Sequence, residues 1–188
     1  MQCFAFAAFF GYISASSFVF QNIYDVTPQT FSLIFGINGI GLMISGGLTG
    51  RLAGRIPDWK MLRFVLWVAS LGSMALLAGF FFHLSVYAIL VILFITVATL
   101  ASLSTSSFSM AMQAQGRNAG SAAALIGFFS MISGAAMAPV VGIAGSYTAI
   151  PMGIVMVIGE VGALVSFYLF IYPAHRNRNR RDMEDVVQ

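Results

Sequence analysis

Glu160 stands alone in the run "VMVIGEVGALV" (residues 155–165), with no basic residue nearby in sequence. A carboxyl in apolar surroundings is costly to ionise, so the chemistry open to it is reversible protonation. A second pattern lies upstream. Thr99, Ser102, Ser106, Ser109 and Gln113 recur at spacings of three and four, which puts them on one face of a helix. Tyr12, Ser16 and Phe20 share a face in the same way, with Gln21 beyond them, and so do Asn38, Gly41, Ser45 and Thr49. None of these sets is a catalytic constellation. His83, the only mid-chain histidine, has no matched nucleophile or metal-ligand companion. A single cysteine, Cys3, excludes an internal disulfide, and neither a Cys/His metal cluster nor a nucleotide-binding glycine loop is present. The expectation is a protein that binds without bond-making: no enzyme, no metal, no cofactor and no nucleic-acid partner.

These residues sit in a very apolar chain. Of its 188 residues only 8% are charged and 59% are hydrophobic, with a mean hydropathy of +0.91. Soluble domains carry about 25% charged residues. A soluble sphere of this size could not hide so much apolar surface, so the class is integral membrane and the bilayer is the first partner. A crossing helix needs roughly 20 apolar residues. Six stretches qualify, over about 2–21, 30–49, 62–82, 85–112, 118–142 and 150–172. They lack the short alternating pattern of barrel strands. The domain reading is a six-helix bundle over 1–172 and a tail over 173–188.

The connections carry the charge. Arg51, Arg55, Lys60 and Arg63 lie between spans two and three, Arg117 between four and five, and Arg176, Arg178, Arg180 and Arg181 in the tail. Six crossings put all nine on one side, and the opposite loops carry none. By the positive-inside rule that side is cytoplasmic, so both termini are expected inside. The tail then turns acidic, with Asp182, Glu184 and Asp185, and reads as a disordered, solvated, topology-setting segment. The apolar run begins at residue 3 with no basic segment ahead of it, so no signal peptide is expected. That abrupt start reads as the rear part of a longer chain.

Polar stripes inside spans have two readings: they line an aqueous path, or they are seams where small residues let helices approach. Span two leaves the choice open, except that a mid-span Asn38 needs a partner or a cavity. Five polar residues on span four exceed what packing usually needs, so that face is read as cavity lining. In span five, Gly116, Gly120 and Ala124 repeat every four residues, as do Ser130, Gly134, Ala138 and Gly142, and this reads as tight helix packing. Pro139 should kink or end that helix. Phe9, Tyr12 and Phe20 flank the polar face of span one and could stack on a substrate, although core packing is the plainer reading of each.

The chain divides into two three-span units, about 1–83 and 84–172, each led by a serine-rich span. Nested three-helix repeats of this kind resemble half of a major facilitator transporter. "GLTGRLAGR" (47–55) resembles the degenerate second copy of that superfamily's loop motif, with Gly47, Gly54 and Arg55 matching. Arg51 holds the position of the motif's acid, so the gating role of that acid does not transfer. More closely, "GYISASSFVFQNIYDVTPQTFSLIFGINGIGL" is similar to the seventh and eighth helices of the Bcr/CflA group of drug:proton antiporters, and "AGSAAALIGFFSMISGA" to the eleventh. The resemblance covers nearly the whole chain. It implies a twelve-span protein of which this sequence supplies the last six.

The expected fold is therefore all-α, one half of a major facilitator fold. The resemblance implies the C-terminal half of a proton-coupled exporter of small amphipathic drugs in a bacterial-type inner membrane, driven by the proton gradient. It would work by alternating access with a missing N-terminal half or a second copy. Tyr12, Ser16, Asn38, Thr99, Ser102 and Ser106 are the candidate cavity residues. Glu160 is a proton-coupling candidate by position, but the resemblance places the sixth helix of a half at the periphery. A neutral acid hydrogen-bonded to a neighbouring span is the expected state. The alternative is a self-assembling six-helix channel, or a non-transporting scaffold or truncated fragment.

Overall fold

A computed structural model describes residues 1–115, 118–143 and 148–173. Helix α1 runs Gln2–Phe18 and continues into a π-helical turn, Val19–Ile23. It is followed by α2 (Pro28–Leu52), α3 (Asp58–Phe81), α4 (Val86–Gln115), α5 (Ala119–Ile143) and α6 (Ile150–Ser166), the last also ending in a π-helical turn, Phe167–Ile171. All six are long and apolar enough to cross a membrane. The expected spans are recovered to within a few residues.

Local chemistry sets the ends. Thr27 caps α2, its side chain accepting from the Thr30 amide at 3.3 Å, and Pro28 supplies the preset first helical residue. The α2–α3 turn passes through Gly54 at φ +86°, a left-handed conformation that costs glycine nothing. His83 takes the same region in the very short α3–α4 connection. Pro139 lies inside α5, which continues past it to Ile143, so of the two expectations, a kink or an end, the helix does not end there.

The helices pack in the ring order α2–α4–α3–α6–α1–α5, with α1 also touching α4 across the middle. The ring is not closed. Helix α2 rests mainly on α4 and α5 mainly on α1, so a mouth opens between α2 and α5 with α1 and α4 at its back. Exchanging α1 with α4, α2 with α5 and α3 with α6 maps this pattern of neighbours onto itself. The two-repeat reading is thus visible in the packing. Two apolar clusters fill the closed side, one around Tyr12, Phe20, Leu76, Leu93 and Met152, the other around Leu62, Leu66, Leu103 and Phe167.

Met1 and Gln2 of α1, Ser107 and Met110 of α4 and Ile171 beyond α6 line one shared pocket, so these ends lie together. Asp58 bonds to the last turns of α4, which brings the basic 51–63 segment to that same end. Arg117 and the tail with Arg176, Arg178, Arg180, Arg181, Asp182, Glu184 and Asp185 lie outside the described residues.

Candidate functional site

Five polar positions meet where α1, α2 and α4 face one another. Asn38 Nδ2 donates to the Tyr12 hydroxyl at 3.0 Å, and both residues are buried. The partner that a mid-span Asn requires is therefore the neighbouring helix. Tyr12 also stacks on Phe35, ring centroids 6.2 Å apart and planes 13° from parallel, and Phe35 is 41% exposed. From there the rings continue through Phe31 to Phe20 and Tyr24. Phe20 itself is fully buried, which bears out the core reading for that ring.

Below this lies a hydroxyl knot. Ser45 and Ser102 share a short hydrogen bond, Thr49 Oγ1 donates to Ser102 Oγ at 2.7 Å, and Ser102 reaches the Ser45 carbonyl at 3.2 Å. Gly41 seats the ring of Phe94 on the same seam. The α2 stripe of Asn38, Gly41, Ser45 and Thr49 is a packing seam against α4 and α1. For Ser102 the cavity-lining expectation is corrected: its hydroxyl is spent between helices.

The other candidates separate. Ser16 is buried and donates to the Ile13 carbonyl of its own helix at 3.1 Å, so it does not line an open surface. Thr99 bonds back to the Thr96 carbonyl at 2.6 Å. The Ser106 hydroxyl is buried with no hydrogen-bond partner among the described residues. Ser109 and Gln113, at the foot of the same stripe, both donate to Asp58 Oδ2 at 3.0 Å. Asp58 was not singled out in the sequence. Its signal was there, an acid opening span three beside the glycine–arginine loop, but only folding shows which helix it meets.

In the loop motif, Gly54 makes the turn, while Arg51 and Arg55 are exposed and Gly47 faces open space. In α5 the expected ladder splits. Ser130 and Gly134 are buried, Gly134 against the Phe10 ring of α1, whereas Gly120 and Ala124 are exposed and Gly120 touches nothing within 4 Å. The packing reading is corrected for that first set. Gly116 and the side chains at 138 and 142 lie outside the described residues.

Glu160 is fully buried on α6, and neither carboxyl oxygen has a hydrogen-bond partner among the described residues. The expected bond to a neighbouring span is absent from the side chain; instead its backbone carbonyl accepts from Ser70 Oγ of α3 at 3.2 Å. An apolar cleft of about 550 Å³ lies between α1, α5 and α6, lined by Phe4, Met137, Ile154 and Ile158 among others. It contains none of the six candidate cavity residues.

Six apolar helices, closed on one side and open between α2 and α5, define an α-helical multi-pass membrane protein. The described surfaces of α2 and α5 beside the opening expose large apolar side chains, among them Phe35, Ile37 and Phe128. The chain is 36% identical over 159 residues to a protein of Bacillus subtilis (strain 168) named uncharacterized MFS-type transporter YdgK, a match covering 85% of the chain and 39% of that relative. It is 26% identical over 165 residues to the bicyclomycin resistance protein homolog of Haemophilus influenzae, covering 88% of the chain and 42% of that relative. These similarities support a place in the major facilitator superfamily and a transport role. The chain spans about two-fifths of the length of the curated relatives it matches. No family model and no solved structure matches it.

Proposed function

We propose that this chain is the C-terminal six-helix half of a proton-coupled exporter of small amphipathic compounds, of the Bcr/CflA kind. The observation that carries the reading is the open mouth between α2 and α5, with α1 and α4 at its back. One half supplies one wall, and alternating access needs a second to rock against it around a midplane site. The second wall is an N-terminal half, with a second copy of this chain as the rival occupant. Tyr12 and Asn38 lie buried behind Phe35, whose exposed ring is this half's share of the substrate surface and suits an amphipathic solute. No cofactor takes part; the proton gradient supplies the energy and protonation shifts the populations of inward-open and outward-open states. The setting is a bacterial-type inner membrane with both termini cytoplasmic, as the basic 51–63 segment favours.

The relative named for bicyclomycin resistance makes that drug the first compound to test. Cells expressing this chain with a front half from such a relative should retain less drug than cells with either piece alone. Efflux by this chain alone as a monomer would defeat the half-transporter reading. Efflux by a crosslinkable homodimer would favour the second copy.

A further inference from the structure

The closed side of the bundle holds a titratable group that the export reading does not use. Helices α3 and α6 run antiparallel in contact: Gly153 lies against Leu77 and Phe80, and seven residues on, Glu160 lies against Ser70. The approach to α1 is equally tight, since a Cβ at Gly159 would sit 2.7 Å from the Phe4 carbonyl oxygen. Glu160 is thus walled in by two helices. It is 0% exposed, and neither oxygen has a hydrogen-bond partner among the described residues.

Among the described residues no cationic side chain is placed beside Glu160. The described titratable groups of the helices packed against α6 are the Met1 amino group, Cys3 and Tyr12 on α1 and Asp58, Lys60 and Arg63 on α3, with none on α5. The Met1 end of α1 shares a pocket with Ile171, at the far end of the α6 element. The Tyr12 hydroxyl is engaged by Asn38, and Cys3 lines the apolar cleft. Arg63, the basic residue of α3 closest in sequence, is seven residues from Ser70, about 10 Å along the helix axis. Tyr168 and Tyr172, beyond Glu160 on its own element, lie at the far end of α6. A helical side chain leans toward its helix N-terminus, so Glu160 leans toward the level where antiparallel α3 presents Ser73. Ser73 is fully buried, and its hydroxyl donates to the Ser70 carbonyl at 2.9 Å.

We propose that Glu160 is a proton-binding site set in the α3–α6 seam, with Ser70 and Ser73 as its hydroxyl neighbours on the facing helix, and that losing this proton opens the seam. A carboxylate there is fully buried and has no cationic side chain beside it among the described residues, so the seam can stay packed only around the neutral acid. Ionisation must bring water in or turn the side chain out, and either separates α3 from α6. The inference does not rest on the export reading, because both halves of it are measured without a substrate.

The test uses the full chain in phospholipid vesicles. Infrared spectra at neutral pH should show the carbonyl stretch of a protonated carboxylic acid, missing in Glu160→Gln and retained at a shifted position in Glu160→Asp. Identical wild-type and Glu160→Gln spectra in that region would overturn the site. Amide hydrogen exchange, corrected for the intrinsic effect of pH, should rise several-fold at alkaline pH in the α3 and α6 peptides of the wild type. Glu160→Gln should stay flat. Equal exchange in both proteins would overturn the opening. If Glu160→Gln does not accumulate, the wild type and Glu160→Asp, compared across pH, decide both points by the loss of the band and the rise in exchange.

Discussion

At the residue scale, the Tyr12–Asn38 bond is the clearest case of a polar group placed by its partner. In an apolar interior an amide without a partner carries its whole desolvation cost. Tyr12→Phe should destabilise the folded chain by about 1 kcal/mol, read by reversible unfolding in detergent. Tyr12→Phe combined with Asn38→Leu should recover part of that loss, because both partners then go together. If the double variant is less stable than Tyr12→Phe, the bond is not what holds these two residues. The sequence announced that Asn38 needed a partner and could not say which helix supplied it. Ser16 and Ser102 show the converse. Their types and spacing fitted a polar lining, yet one hydroxyl is satisfied within its own helix and the other in a seam. A serine on a helix face looks the same in sequence whether it meets water or a neighbouring helix.

At the scale of elements, small residues mark close approach only where a helix lies opposite. A Cβ at Gly134 would fall 2.6 Å from the Phe10 ring, so Gly134→Ala should weaken the α1–α5 contact by about 1–3 kcal/mol through overpacking. Gly120→Ala meets nothing within 4 Å and should be neutral or stabilise α5 by up to about 1 kcal/mol through helix propensity. Similar costs for the two would show that α5 does not seat on α1 as described. The Asp58 contact joins the first residue of α3 to the last turns of α4. A double-mutant cycle on Asp58→Ala and Gln113→Ala should give a coupling of about 0.5–1.5 kcal/mol, small because Gln113 is exposed. A coupling of zero would mean that this contact does not tie the helices.

At the scale of the whole molecule, the proposed threading requires residues 51–63 and the tail to share one membrane face. In a Cys3→Ser background, single cysteines at Arg55 and Arg178 should react with an impermeant maleimide from the same side of sealed vesicles. Reaction from opposite sides would undo the threading and the half-transporter reading with it. The mouth between α2 and α5 has its own consequence. Leu33, Ile37, Ile40 and Met43 on α2 and Leu125, Phe128 and Met131 on α5 are more than half exposed, large apolar surface that lipid or a second six-helix unit must cover.

The six apolar spans and their bounds were legible in the sequence alone, because they depend on how apolar each segment is and on the thickness of hydrocarbon. The repeat was legible too, as two serine-led triplets. What only the tertiary structure decided is which face of each helix meets which neighbour. It turned Ser102 from lining into seam, split the glycine ladder of α5, gave Asp58 to α4, and left Glu160 buried without a hydrogen-bond partner for its carboxyl. Helical spacing fixes which residues share a face, but what that face meets depends on packing between segments far apart in the chain.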